Sequence, residues 1–92
     1  MPAITVELPS LLRPLAANQR SLALEARSLR QAIRELAVHH PALFGAVCDE
    51  SGRFRPHVLC LLNEANTRWL EQDDVPLQDG DVIRFLQAVS GG

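Results

Sequence analysis

Apolar and polar residues alternate through AITVEL at 3–8, with Ile4, Val6 and Leu8 on one side and Thr5 and Glu7 on the other. That is the period of a half-buried strand. The alternation stops in PSLLRPLAANQR at 9–20, where Pro9 and Pro14 lack the donor a sheet interior needs. It resumes in RSLALEA with Leu22 and Leu24 inward, so the first two strands read as a hairpin. Ser28 then stands where an N-cap would, ahead of Leu29, Ala32, Ile33, Leu36 and Ala37 at three-and-four spacing, the stripe of an amphipathic helix. Arg27, Arg30, Arg34 and Glu35 take the wet side, and Pro41 ends the helix. ALFGAVCDESGRFR at 42–55 reads as an irregular stretch closed by a turn at 49–52. HVLCLL at 57–62 predicts a strand, followed by a turn at 63–66 and a short extended piece, TRWL, at 67–70. In LQDGDVIRFLQ, Asp79-Gly80 supplies a tight turn before a last strand with Ile83 and Phe85 inward.

The predicted order is strand, strand, helix, strand, short strand, strand. Strands with one long helix between them indicate an α+β domain: a mixed sheet of four to five strands with one main helix packed across a face. At 92 residues the chain suffices for one such domain and not for two. Residues 1–88 are expected to form it, with 89–92 as a flexible tail.

Composition narrows the function. With 47% apolar and 22% charged residues, the chain matches an ordinary globular domain rather than a disordered or membrane protein. No apolar run approaches a membrane span, and the start, MPAITVELPS, has no secretory signal pattern, so a cytoplasmic location is expected. The formal net charge of -2 and scattered basic residues exclude the footprint of a nucleic-acid binder. All nine basic residues are arginine, so no lysine is available for Schiff-base chemistry or for linking copies of the chain through isopeptide bonds. Cys48 and Cys60 lack C-x-x-C spacing and read as free thiols.

Strand alternation also selects a surface. If Val58, Cys60 and Leu62 face the helix, Leu59 and Leu61 face away, as do Arg84 and Leu86 on the last strand. Leu59, Leu61 and Leu86 around Arg84 would form an apolar patch with a polar rim, of the kind that marks partner sites. The bland alternative is that the 9–20 connection covers some of these leucines. His39, His40, His57 and the two cysteines show no zinc spacing, so no metal is expected. Asp79 and Asp81 flank a turn glycine and serve the turn before they serve acid-base chemistry. No nucleophile-base pair or phosphate loop is visible, so the chain is not expected to be an enzyme. Trp69 reads as a packing residue beside the sheet.

The chain ends in AVSGG. The run PLQDGDVIRFLQAVSGG resembles the end of the ubiquitin-like β-grasp sulfur carriers, which close with a leucine, a D-G-D turn, a hydrophobic strand and Gly-Gly. That group, the MoaD/ThiS-like carriers, includes the small subunit of molybdopterin synthase, the thiamine sulfur carrier and the cysteine-biosynthetic carrier. PSLLRP at 9–14, the H-P after the helix and LNEANTR at 62–68 are similar to the branch holding the cysteine-biosynthetic carrier. Relatives often have proline where this chain has Gln87, which bears on how the tail leaves the sheet.

The resemblance implies a mechanism. An E1-like enzyme adenylates the carboxylate of Gly92 with ATP and magnesium, and sulfur from a sulfurtransferase or sulfide replaces the AMP. The thiocarboxylate that results supplies sulfur to an acceptor enzyme in a biosynthetic pathway. Ser90, Gly91 and Gly92 carry almost no side chain, so such a tail can thread a narrow channel, and glycine accepts the backbone angles the channel demands. Within the carrier class the acceptor is left open between a cysteine precursor, molybdopterin precursor, thiamine thiazole or a siderophore thioacid. The competing class is a β-grasp interaction module acting through its surface alone, its glycines a frayed end.

Overall fold

The computed structural model describes residues 1–67 and 74–87. Strands β1 (Ala3–Glu7) and β2 (Ser21–Glu25) form the predicted hairpin, with Ile4 across from Leu24 and Val6 from Leu22. All four side chains are buried, as is Leu8. The connection between the strands carries a 3-10 helix at Arg13–Ala16, begun by Pro14 near its N-terminus. Leu12 and Ala16 from this connection join the main core. Helix α1 (Leu29–His39) opens at Ser28, whose hydroxyl accepts from the Gln31 N–H at 3.2 Å.

Pro41 ends α1 and also begins a second helix, α2 (Pro41–Val47), where the sequence suggested irregular chain. A proline at the first helical position loses no hydrogen bond, and its fixed φ is already helical. Leu43 and Val47, one turn apart, are completely buried. Gly45 in the middle weakens the helical propensity, and only tertiary packing of that apolar pair offsets it. The turn expected at 49–52 is present: the Asp49 carboxylate accepts from the Ser51 hydroxyl, the Ser51 N–H and the Arg53 N–H.

Strand β3 (Val58–Leu62) turns directly into β4 (Ala65–Asn66) through Asn63 and Glu64, both with positive φ, a two-residue hairpin. A strand thus occupies Ala65–Asn66, where the sequence suggested that the turn at 63–66 continues. The extended piece expected at 67–70 falls mostly outside the described residues, as does Trp69. Strand β5 (Val82–Gln87) completes a five-stranded sheet in the order β2-β1-β5-β3-β4. β5 is central, running parallel to β1 and antiparallel to β3. Beneath the sheet, Ile83, Phe85, Val58 and Cys60 pack with Leu36 of α1 and with Leu43 and Val47 of α2 into one core. Among the described residues no helix is long and apolar enough to cross a membrane.

Candidate functional site: the outer face of β3 and β5

The start of β5 is fixed by the D-G-D turn. Gly80 has φ +86°, the left-handed conformation that glycine adopts without strain. Its N–H bonds the Ala3 carbonyl at 2.9 Å, and the Asp79 carboxylate accepts the Ala3 N–H at 2.6 Å. The Asp81 carboxylate accepts from the Gln78 N–H on one oxygen and from the Asn63 side-chain amide on the other. Asn63 in turn accepts the Val82 N–H at 2.9 Å. The two aspartates thus tie the last strand to β1 and to the β3–β4 turn, Asp79 through one carboxylate oxygen and Asp81 through both.

The antiparallel register sets Leu59 across from Leu86 and Leu61 across from Arg84, so four predicted surface residues share one face of two adjacent strands. Leu86 is 38% exposed and the other three are half-buried. The 9–20 connection does not cover them: its buried residues, Leu12 and Ala16, belong to the core on the helix side. Ser90, Gly91 and Gly92 lie outside the described residues. The strand they follow is ladder-bonded as far as the Val58–Gln87 pair, beside Leu86.

Sequence reasoning missed Glu7. The parallel pairing of β1 with β5 places Glu7 beside Arg84, and Glu7 Oε2 receives the guanidinium Nε at 2.8 Å and Nη2 at 2.7 Å. Glu64, at the turn, comes to 4.0 Å from Arg84 Nη1. The pairing follows only once the topology is known: with β1 and β5 neighbours in this register, outward Glu7 and outward Arg84 meet.

Both cysteines lie beneath this face. Burial pushes the Cys60 thiol up to about 12, only partly offset by a hydrogen bond with Thr67 and reinforced by Cys48 nearby. Burial likewise raises Cys48 to about 11, with Asp49 adding to it and Arg55 opposing. Neither is a thiolate at neutral pH, so neither is poised as a nucleophile. The histidines do not converge with other ligands: His39 bonds Glu35 on its own helix at 3.2 Å. Among the described residues no three His, Cys, Asp or Glu side chains are grouped to hold a metal ion.

Known proteins share this architecture. Residues 6–92 match the ThiS family. The sulfur carrier protein CysO of Mycobacterium tuberculosis is 28% identical over 91 residues, covering 97% of this chain and 98% of that one. Its crystal structure superposes with a TM-score of 0.82, over 94% and 99% of the two chains at 26% identity. The solution structure of small archaeal modifier protein 1 from Methanosarcina acetivorans gives a TM-score of 0.84 at 28% identity, covering all of this chain and 98% of that one. The BexX/CysO complex of Amycolatopsis orientalis matches with a TM-score of 0.84 over 97% and 99% of the chains, at 21% identity, a likeness of fold alone. Fold, turn and matches together define a ubiquitin-like β-grasp protein of the sulfur-carrier class. Within that class the chain belongs to the ThiS family.

Proposed function

We propose that this protein carries sulfur as a C-terminal thiocarboxylate on Gly92. An E1-like partner binds ATP and magnesium, and the Gly92 carboxylate attacks the α-phosphate, forming an acyl-adenylate and releasing pyrophosphate. Sulfide adds to the acyl carbon and AMP leaves with the C–O bond, so a thiocarboxylate remains; a sulfurtransferase persulfide adds in the same way to give an acyl disulfide, which a thiol then reduces, forming a disulfide with the transferase sulfur and freeing the thiocarboxylate. An acceptor enzyme then takes the sulfur, and the similarity to CysO favours a cysteine-forming pathway. The protein is a co-substrate in this scheme, and catalysis belongs to its partners. Because activation consumes ATP, we assign the reaction to the cytoplasm.

The observation that carries this reading is a central last strand, pinned by Asp79, Gly80 and Asp81, leading into AVSGG in a chain whose family match runs through residue 92. Strands on both sides of β5 hold the root of the tail in place, while Gly91 and Gly92 leave its end narrow. The outer face, with Leu59, Leu61, Arg84 and Leu86, is the docking surface we assign to the activating and acceptor enzymes. A CysO of this fold is known in a complex with BexX, which supports partner docking as the working mode.

The test is the intact mass after incubation with ATP, magnesium, a cognate E1-like enzyme and sulfide. A gain equal to sulfur replacing one oxygen, confined to the C-terminal peptide, is expected. Deleting Gly92 withdraws the carboxylate by one residue, roughly 3.5 Å in an extended chain, more than a reaction needing contact at about 3–3.5 Å tolerates. That variant gains no sulfur. Gly91→Val also fails, because a β-branched side chain widens the tail and restricts its angles. An unchanged mass with a demonstrably active enzyme would leave only the interaction module.

A further inference from the structure

The polar rim of the outer face has a sign opposite to the one its arginine suggests. Among the described residues, the outward strand positions beside Leu61 carry Glu7 and Arg84, and the β3–β4 turn adds Glu64, two carboxylates around one guanidinium. The guanidinium is already engaged: Nε and Nη2 share Glu7 Oε2, and Nη1 points toward Glu64. Oε1 of Glu7 finds no hydrogen-bond partner among the described residues, and the Glu64 side chain is 83% exposed. Spare hydrogen-bonding capacity on this face is therefore mostly that of carboxylate acceptors, next to Leu59, Leu61 and Leu86.

A carboxylate covered by a partner loses its water, and that loss is costly unless a cation or donors replace it. Arg84 compensates only one oxygen of Glu7. We infer that the activating enzyme brings its own cation, an arginine or lysine side chain, to the Glu7–Glu64 side of the face, beside an apolar pocket that takes the three leucines. Arg84 acts as an internal strut that holds Glu7 in place and is not the charge the partner reads. This rests on the outer face being the docking surface.

The experiment measures affinity for the cognate adenylating enzyme at low and high salt, with thermal melts confirming that each variant folds. Expected are a wild-type affinity that falls as salt rises, a loss of about tenfold for Glu64→Lys at low salt that shrinks at high salt, and a loss of a few-fold for Glu7→Gln. Leu61→Asp and Leu86→Asp are measured in parallel. If the leucine variants weaken binding but Glu64→Lys binds as well as wild type or tighter, the partner supplies no cation here and the inference fails alone. If the leucine variants bind normally, the docking surface lies elsewhere and the reading beneath it fails too.

Discussion

β3 and β5 each alternate between two roles, one residue apart. Cys60 and Phe85 are 1% and 0% exposed and sit in the core, while their neighbours Leu61 and Leu86 face out, Leu86 at 38%. All four are apolar or nearly so, and hydrophobicity alone does not tell them apart; the strand period does. The inner set fills a close-packed space whose volume is fixed on every side. The outer set has no such constraint and is free to be chosen for a partner. Substitution along one strand should therefore move stability and partner binding in strict alternation. The largest effect is expected at Phe85, whose ring lies 6.1 Å from that of Phe54, tilted by 59°. Phe85→Ala should cost about 3–5 kcal/mol of stability, a large share of the roughly 5–15 kcal/mol typical of a domain. Leu86→Ala should stay within about 0.5 kcal/mol. Denaturant unfolding of the two proteins measures both, and equal losses would erase the distinction between the faces.

Leu61→Asp inverts the pattern. Placed outward across from Arg84, the new carboxylate meets water and a guanidinium and leaves the core untouched. Unfolding should shift by no more than about 1 kcal/mol, while affinity for the activating enzyme falls by tenfold or more, as for a residue central to an interface. A protein that instead fails to fold would mean that Leu61 is a core residue, with the register of β3 displaced by one.

The sheet was legible because its signals are local. Ile4, Val6, Leu8, Leu22 and Leu24 alternate, D-G-D demands a turn, and Ser28 with the stripe behind it demands a helix. Helix α2 was not legible, because its local signals conflict: Pro41 suits a helix start but Gly45 opposes a helix, and burial of Leu43 and Val47 against elements distant in sequence decides it. Ala65–Asn66 was read as part of a turn at 63–66 rather than as a strand for a related reason. Two-residue hairpins usually announce themselves with glycine, whereas Glu64 adopts φ +74° here without being one. Leu59, Leu61, Arg84 and Leu86 could be placed on one face from the period alone. The Glu7–Arg84 pair could not, because it depends on β1 and β5 being neighbours, a fact of topology rather than of either strand.

Cys60 sharpens the contrast from the inner side. Cys60→Ala removes a buried sulfur and should cost about 1–2 kcal/mol, yet sulfur loading at the C-terminus should proceed unchanged, since the thiol is inaccessible and protonated. The same burial sets a pH dependence. A thiol whose folded pKa is raised holds its proton longer in the folded chain, so the stability it permits is complete below the ordinary value of 9.0 and is lost progressively toward about 12 for Cys60 and about 11 for Cys48. Thermal melts from neutral pH to above 9 should show this alkaline decline, and Cys60→Ala should flatten it. A decline of the same size in Cys60→Ala would assign it to other groups.

The smallest effect is expected at Asp49, which acts on the inner face from a distance. Its carboxylate holds the turn through the Ser51 hydroxyl at 2.6 Å, the Ser51 N–H at 2.9 Å and the Arg53 N–H at 3.2 Å. Phe54 follows immediately, bridged to Cys48 and seated against Phe85. The hydrogen bond from Ser51 and then that from Arg53 lower the carboxyl below 3.8. A depressed carboxylate contributes stability that is present above its unfolded pKa and is lost as pH falls through the folded one. Asp49→Asn should therefore lower the melting temperature slightly at neutral pH, and the gap to wild type should close below about pH 4. Because the turn supports only the inner face, affinity for the activating enzyme should not change. A loss of affinity without a loss of stability would show that the partner's footprint reaches past the sheet to the 49–54 loop.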